Sequence, residues 1–169
     1  MSQSGSVSVV ITDTSILINL SHTGHLRLLG ATPGYRFLVS DEVMAEIIDP
    51  LQRSSVEEAI TAALLERTSI QSTDELSAYA ELRQVLGSGE SACLALAMTR
   101  RWLVACDEKR VFLREAQARL GAGRIVNTPG LYILWIRSGI LSVEDADAAK
   151  QILEANRFKM NFPTFRDLV

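Results

Sequence analysis

The sequence predicts an α/β protein built on a central parallel sheet. Four short runs, VSVVI at 7–11, RFLV at 36–39, WLVAC at 102–106 and RIV at 124–126, are rich in apolar and β-branched residues. They show no period of 3.6 and read as strands buried on both faces. Each is followed within a few residues by a stretch of helical character, and that alternation implies βα units whose parallel strands carry helices on both sides.

The elements follow in order. The first strand runs into Thr12-Asp13-Thr14-Ser15, where Asp or Thr can cap a helix beginning near Ser15. A short helix at 25–29 is closed by Gly30. After the second strand, Ser40 caps a helix, DEVMAEII, that stops before Pro50. Two amphipathic helices come next: VEEAITAALLER, opened by Ser54 or Ser55, and DELSAYAELRQVL, opened by Thr73. Gly87-Ser88-Gly89 breaks the chain. The helix after it, ESACLALAMTRR, is small and apolar nearly all round, as expected of a helix buried against the sheet. The third strand gives way at Asp107 to a helix reaching about 120, and Gly121-Ala122-Gly123 precedes the fourth. A helix at 128–138 and a last one, capped by Ser142 and reaching about 156, complete the chain. No repeat, low-complexity segment or dividing linker interrupts it, so a single domain over 1–169 is expected.

Composition narrows the function. With 169 residues, 47% of them hydrophobic and 22% charged, the chain is long enough for a substantial core. Cys93 and Cys106 cannot form a disulfide framework, and no Cys/His spacing suits zinc. His22 and His25 have no acidic or cysteine partner nearby and read as surface or capping residues. Residues 1–6 are polar and uncharged, unlike a signal or transit peptide. No apolar stretch approaches the ~20 residues that span a membrane, so a cytoplasmic protein with no membrane partner is expected. Charge is unevenly placed. Residues 41–86 carry ten acidic and three basic side chains, a net of −7, whereas 100–124 carry seven basic and three acidic, a net of +4. The second region is therefore a candidate surface for an anionic partner.

Four acids stand out: Asp13, Glu46, Glu90 and Asp107. Singly, each has a structural explanation. Asp13 and Asp107 can cap helices, worth ~1 kcal/mol; Glu90 complements a helix dipole; Glu46 sits at the edge of an apolar helix face. Together they suggest more. In parallel sheets ligands bind beyond the carboxyl ends of strands where the strand order reverses, and Asp13 and Asp107 each follow a strand. Carboxylates roughly 4 Å apart repel by about 4 kcal/mol at an effective dielectric near 20. Such a group raises its pKa values or holds a cation, and oxygen-only ligation favours Mg²⁺ or Mn²⁺. Spacing leaves Glu108 open as an alternative to Asp107, and Asp41 or Glu42 as alternatives to Glu46.

VVITDTSILINL at 9–20, V-x-x-E at 43–46, GSGESA at 87–92 and LVACDEKR at 103–110 together resemble the PIN-domain family, and among its members PIN-like proteins related to VapC-type toxin ribonucleases. The likeness spans about 7–141, and the ending around 157–162 is similar too. It implies a three-layer α/β/α PIN-like fold with a central parallel sheet. It also implies a Mg²⁺- or Mn²⁺-dependent endoribonuclease that hydrolyses RNA phosphodiesters. By matched position Asp13, Glu46, Glu90 and Asp107 would be the acidic metal ligands, Thr14 or Ser15 would support them by hydrogen bonding, and Glu108 stands where this subgroup often has a second acid. The chain departs from the pattern in three places: the third acid is Glu rather than Asp, CDEKR replaces a T-N-D-x-D-F signature, and an acidic helical insertion at about 50–86 makes the chain longer than a typical toxin.

Lys109, Arg110 and Arg114 are candidate RNA-phosphate contacts. Trp102 and Trp135 lie in apolar patterns and belong to the core rather than to a base-stacking surface. A toxin role implies an antitoxin partner. The family commonly dimerises, and the apolar helix from Thr128 offers either core packing or a homodimer surface. The alternative is a catalytically inactive PIN-like module that binds a protein or nucleic acid. A phosphatase on a similar sheet would need a second Asp two positions after Asp13, where this chain has Ser15.

Overall fold

The computed structural model describes residues 6–107 and 109–169. Five strands pair in parallel: β1 (Ser8–Thr12), β2 (Tyr35–Ser40), β3 (Glu66–Thr68), β4 (Leu103–Ala105) and β5 (Ile125–Val126). Their order in the sheet is β3-β2-β1-β4-β5. From β1 the chain winds outward through β2 and β3, then crosses back over β1 to lay down β4 and β5. The winding direction therefore reverses between β1 and β4. In register, Ile11 lies opposite Leu38 on one side and Val104 on the other, and Thr12 lies opposite Ala105. The carboxyl ends of β1 and β4 are thus level, and whatever follows each strand opens into one crevice.

Nine helices flank the sheet among the described residues, in the three-layer α/β/α arrangement that the family resemblance leads one to expect: α1 (Thr14–Thr23), α2 (Arg27–Ala31), α3 (Asp41–Glu46), α4 (Pro50–Thr61), α5 (Thr73–Leu82), α6 (Ser88–Arg100), α7 (Arg110–Leu120), α8 (Thr128–Arg137) and α9 (Val143–Ala155). The central strands are buried by their apolar residues, Val10, Ile11, Val39 and Val104 among them. Helix α6 packs on β1, β2 and β4 and on α5. Its residues from Ser91 to Ala97 are all buried, which its run of small side chains allows. Burying such apolar surface contributes roughly 25 cal/mol per Å² removed from water.

The structure differs from the sequence expectation in the 50–86 segment, which is not purely helical. Helix α4 begins at Pro50, before Ser54 or Ser55, because Asp49 accepts hydrogen bonds from the backbone N–H groups of Leu51 and Gln52, and proline suits the first helical position. Between α4 and α5 the chain adds β3, an edge strand on β2, held by ladder bonds and by the Arg36–Glu66 and Arg67–Asp41 ion pairs at 2.6 and 2.7 Å. Three polar residues, ERT, carry no alternation strong enough to announce a strand. Helix α3 stops at Glu46 rather than running to Ile48. Helix α7 begins at Arg110 with Lys109 at its N-cap, so Asp107 does not cap it.

Helix α2 continues through Gly30, where a Cβ would come within 2.5 Å of Leu64 Cδ2; the glycine permits that close approach. The apolar surface of α8 is used inside the chain. Leu131, Tyr132 and Trp135 are buried, and Ile133, Ile136 and Ile140 pack on the core. Trp135 Nε1–H donates to Thr32 Oγ1 at 2.8 Å, and Tyr132 donates to Thr23 Oγ1 while sharing a hydrogen bond with His25 Nδ1. Burial pushes the Tyr132 hydroxyl up to about 12 and lowers the His25 imidazole below its ordinary value. His25 is thus a core histidine. Both cysteines are free and buried. No helix of the described residues is long and apolar enough to cross a membrane.

Candidate metal centre

Asp13 follows β1 directly, and its backbone N–H donates to Ala105 O at 2.8 Å, which ties the end of β1 to the end of β4. Its side chain is 6% exposed. Oδ2 accepts from Ser15 Oγ at 3.0 Å and, weakly, from Cys106 Sγ at 3.5 Å. Burial raises the Asp13 carboxyl above its ordinary value, outweighing the hydrogen bonds that would lower it. The same burial, together with the negative charge of Asp13, pushes the Cys106 thiol up, so it stays protonated and unreactive.

Asp107 lies just beyond β4. Its Oδ1 accepts from the Thr128 backbone N–H at 2.8 Å, and its Oδ2 accepts from Thr128 Oγ1 at 2.6 Å and Asn19 Nδ2 at 2.9 Å. Its own backbone N–H donates to Ser15 Oγ at 3.2 Å. The Ser15 hydroxyl therefore donates to one strand-end aspartate and accepts from the backbone of the other, although the two are far apart in sequence. Helix α3 delivers Glu46 from its last turn, where Oε2 accepts from Thr14 Oγ1 at 2.6 Å and Oε1 from the Gly89 N–H at 2.7 Å. Glu90 stands in the first turn of α6 and accepts from the Gly87 N–H at 3.3 Å.

Four acids from four segments of the chain line one cavity of about 370 Å³: Asp13, Glu46, Glu90 and Asp107. Thr14, Ser15 and Lys109 also line it. The competing residues are elsewhere: Asp41 pairs with Arg67, and neither it nor Glu42 reaches the cavity wall. Glu108 lies outside the described residues. Of the three basic candidates only Lys109 lines the cavity. Arg110 is exposed on α7, and Arg114 pairs with the adjacent Glu115 at 3.2 Å.

The donor set suits a hard dication. It is all oxygen, and the only cationic side chain among the lining residues is Lys109. Asp13, buried with its carboxyl raised, is short of compensating charge, which a cation would supply. As the side chains stand, no three His, Cys, Asp or Glu residues among those described are grouped tightly enough to form a ligand set. Each carboxylate oxygen has two lone pairs, so the single hydrogen bond at each Glu46 oxygen orients that group and still leaves acceptor capacity.

Three residues that sequence reasoning did not single out organise the site. Asn19 is buried and bonds both Asp107 and Thr128; Thr128 makes two bonds to Asp107; Gly89 bonds Glu46. A signal existed for Asn19, a lone amide within the apolar run ILINL one turn after Ser15. Thr128 gave none apart from its place after a strand. Gly89 is required by space, since a Cβ there would lie 2.5 Å from Glu46 Oε2 and 2.9 Å from Glu46 Cδ. Gly89→Ala is expected to fold, displace Glu46 and weaken Mn²⁺ binding by about 10- to 100-fold, the range for groups that orient ligands. Calorimetric titration with Mn²⁺ reads this directly, and an unchanged affinity would remove Glu46 from the ligand set.

A family model described as a PIN domain matches residues 9–158. Among solved structures, a chain of VapBC2 from Rickettsia felis, crystallised bound to a DNA fragment from their promoter, superposes with a TM-score of 0.51 at 16% identity. The match covers 70% of this chain and 98% of that one. At that identity it is a likeness of fold. No curated protein sequence matches.

Proposed function

This chain belongs to the PIN-domain family, and from that premise we propose that it is a Mg²⁺- or Mn²⁺-dependent endoribonuclease acting on single-stranded RNA. The observation that carries the reading is the meeting of Asp13, Glu46, Glu90 and Asp107 in one cavity at the switch point between β1 and β4. Those four residues would hold the metal. When bound, it supplies Lewis-acid chemistry: a more acidic water and neutralisation of charge building on the phosphate.

The chain's own residues set the stage for that chemistry. Ser15 ties the Asp13 carboxylate to the backbone of Asp107, so the two strand ends cannot separate independently. Asn19 and Thr128 fix the rotamer of Asp107, and Thr14 and Gly89 fix that of Glu46. Lys109 offers a positive charge at the cavity wall for a substrate phosphate. Arg110, on the exposed start of α7, extends that charge along the strand's path.

A toxin role, with an antitoxin as protein partner, belongs to the same proposal. It rests on the family resemblance of the sequence and on the fold likeness to VapBC2. Homodimer formation is proposed on the same resemblance.

One observation favours a second reading, a PIN-like module that binds without cutting: the Glu46 and Asp107 carboxylates are already engaged by hydrogen bonds at every oxygen. Metal addition and removal separates the two. The nuclease reading expects Mn²⁺ to raise the melting temperature, with about 2.7 kcal/mol of stabilisation at a hundredfold excess over Kd, and to switch on cleavage of single-stranded RNA that EDTA stops. A protein that neither gains stability nor cuts RNA with Mn²⁺ is the binding module.

A further inference from the structure

Asp107 lines a second cavity besides the acidic one. This cavity, of about 310 Å³, opens between the start of α8, at Asn127 and Pro129, and the C-terminal stretch 158–162. Lys109 lines the first cavity and Lys159 the second. Both lysines are exposed, and neither forms an ion pair with a described residue. A polyanion crossing Asp107 would therefore meet a positive charge in each cavity.

The wall of the second cavity is built in advance. Its stretch has no regular secondary structure, yet Met160 is 7% exposed and the nearby Phe165 is fully buried. The Phe162 ring lies edge-on to Phe165, their centroids 4.9 Å apart, and Lys150 Nζ sits 5.8 Å over it. Asp147 accepts from Thr164 Oγ1 and from the Phe165 N–H. Phe158 is half-buried and is anchored by its N–H to Leu153 O at 2.9 Å. Asn127 uses Oδ1 to cap α8, which leaves its amide N–H groups for a ligand.

Resting on the nuclease reading, we infer that this second cavity is a subsite for a nucleotide flanking the scissile phosphate of single-stranded RNA. Lys159 takes the flanking phosphate, Asn127 and Asn161 offer polar groups to the sugar or base edge, and Phe158 offers a ring. Contacts to phosphate carry position rather than sequence, and stacking on an aromatic ring tolerates any base. The subsite therefore sets how the strand lies over Asp107 without reading its sequence. Lys159 is a positioning residue and not part of the acidic centre.

The test is steady-state cleavage of a single-stranded oligoribonucleotide with Mn²⁺, using wild type, Lys159→Ala and Lys159→Arg. Lys159→Ala is expected to raise KM about fivefold or more with kcat within twofold, and Lys159→Arg to recover most of the loss. Removing one phosphate contact should also reduce the slope of log affinity against log salt by about 0.7. Because the subsite lies to one side of the cut, trimming the RNA from one end abolishes the difference between wild type and Lys159→Ala, and trimming from the other end preserves it. An unchanged KM, or a penalty insensitive to which end is trimmed, overturns the subsite while leaving the nuclease reading intact. If wild type cuts no RNA, the same variants and trimmed strands are compared by fluorescence-anisotropy binding. An end-dependent loss of affinity then supports the subsite although the nuclease reading has failed, and its absence overturns both.

Discussion

Asp13→Asn is expected to abolish Mn²⁺-dependent RNA cleavage while leaving the protein folded. The loss should exceed the hundredfold upper range of residues that merely orient ligands, because the substitution removes a negative oxygen from the centre of the proposed ligand set. Stability should move the other way in the absence of metal. The carboxylate is buried, is raised above its ordinary value by that burial, and accepts only Ser15 and the weak Cys106 thiol from other side chains. Ionising it at neutral pH therefore costs stability, and an amide of the same shape relieves that cost. The metal-free variant should melt at or above the wild-type temperature and lose the stabilisation that Mn²⁺ gives the wild type. A variant that cuts as fast as wild type refutes the assignment of Asp13 to the metal. One that unfolds refutes its description as an unsupported buried charge.

Glu75→Gln is expected to cost about 3 kcal/mol at pH 7, although Glu75 lies outside the site. Its side chain is 6% exposed and faces Arg100 at the last turn of α6, with Arg100 Nε to Oε1 at 2.6 Å and Nη2 to Oε2 at 3.1 Å. The N–H groups of Gln71 and Ser72 also donate to it, and Arg100 reaches on to Thr68 Oγ1 and Ser69 O. One ion pair thus ties α5 and the end of β3 to the helix that carries Glu90. The Arg100 guanidinium, reinforced by the two backbone donors, holds the Glu75 carboxyl at about 2 rather than 4.5. At about 1.4 kcal/mol per unit that is about 3 kcal/mol, within reach of the 3–5 kcal/mol seen when one partner of a buried pair is removed.

The pH dependence has a definite sign. A carboxyl depressed in the folded state binds fewer protons there than in the unfolded chain, so its contribution is complete above about 4.5 and is lost as pH falls towards 2. Thermal unfolding should show wild type more stable than Glu75→Gln at pH 7, a gap of about 6–12 °C in melting temperature for a chain of this size. The gap should shrink steadily between pH 4.5 and 2. A gap absent at neutral pH, or constant into acid, would mean that the network contributes nothing to folding.

How much of this was legible in the sequence varies with the range of the interaction. The strands from 7, 36, 102 and 124 were readable because a strand buried on both faces must be apolar along its length. Helix α6 was readable because it is buried nearly all round and needs small side chains to approach the sheet. The four acids could be nominated from motif resemblance and from the rule that ligands gather at strand ends. The structure brings those four to one cavity and leaves Arg110 and Arg114 off its wall.

What only the tertiary structure decided is everything that depends on which segments become neighbours. Strand β3 exists because β2 offers a free edge, with Arg36 of β2 pairing with Glu66 and Arg67 with Asp41 at the start of α3, not because ERT prefers to be extended. Asn19 and Thr128 matter because α1 and α8 both meet the end of β4, a contact across more than a hundred residues. The order that places β4 beside β1, and so sets Asp107 level with Asp13, is written in no local pattern. Local periodicity records which face of an element is buried, since that is a property of neighbouring residues. The partner on that face is chosen by the packing of the whole chain.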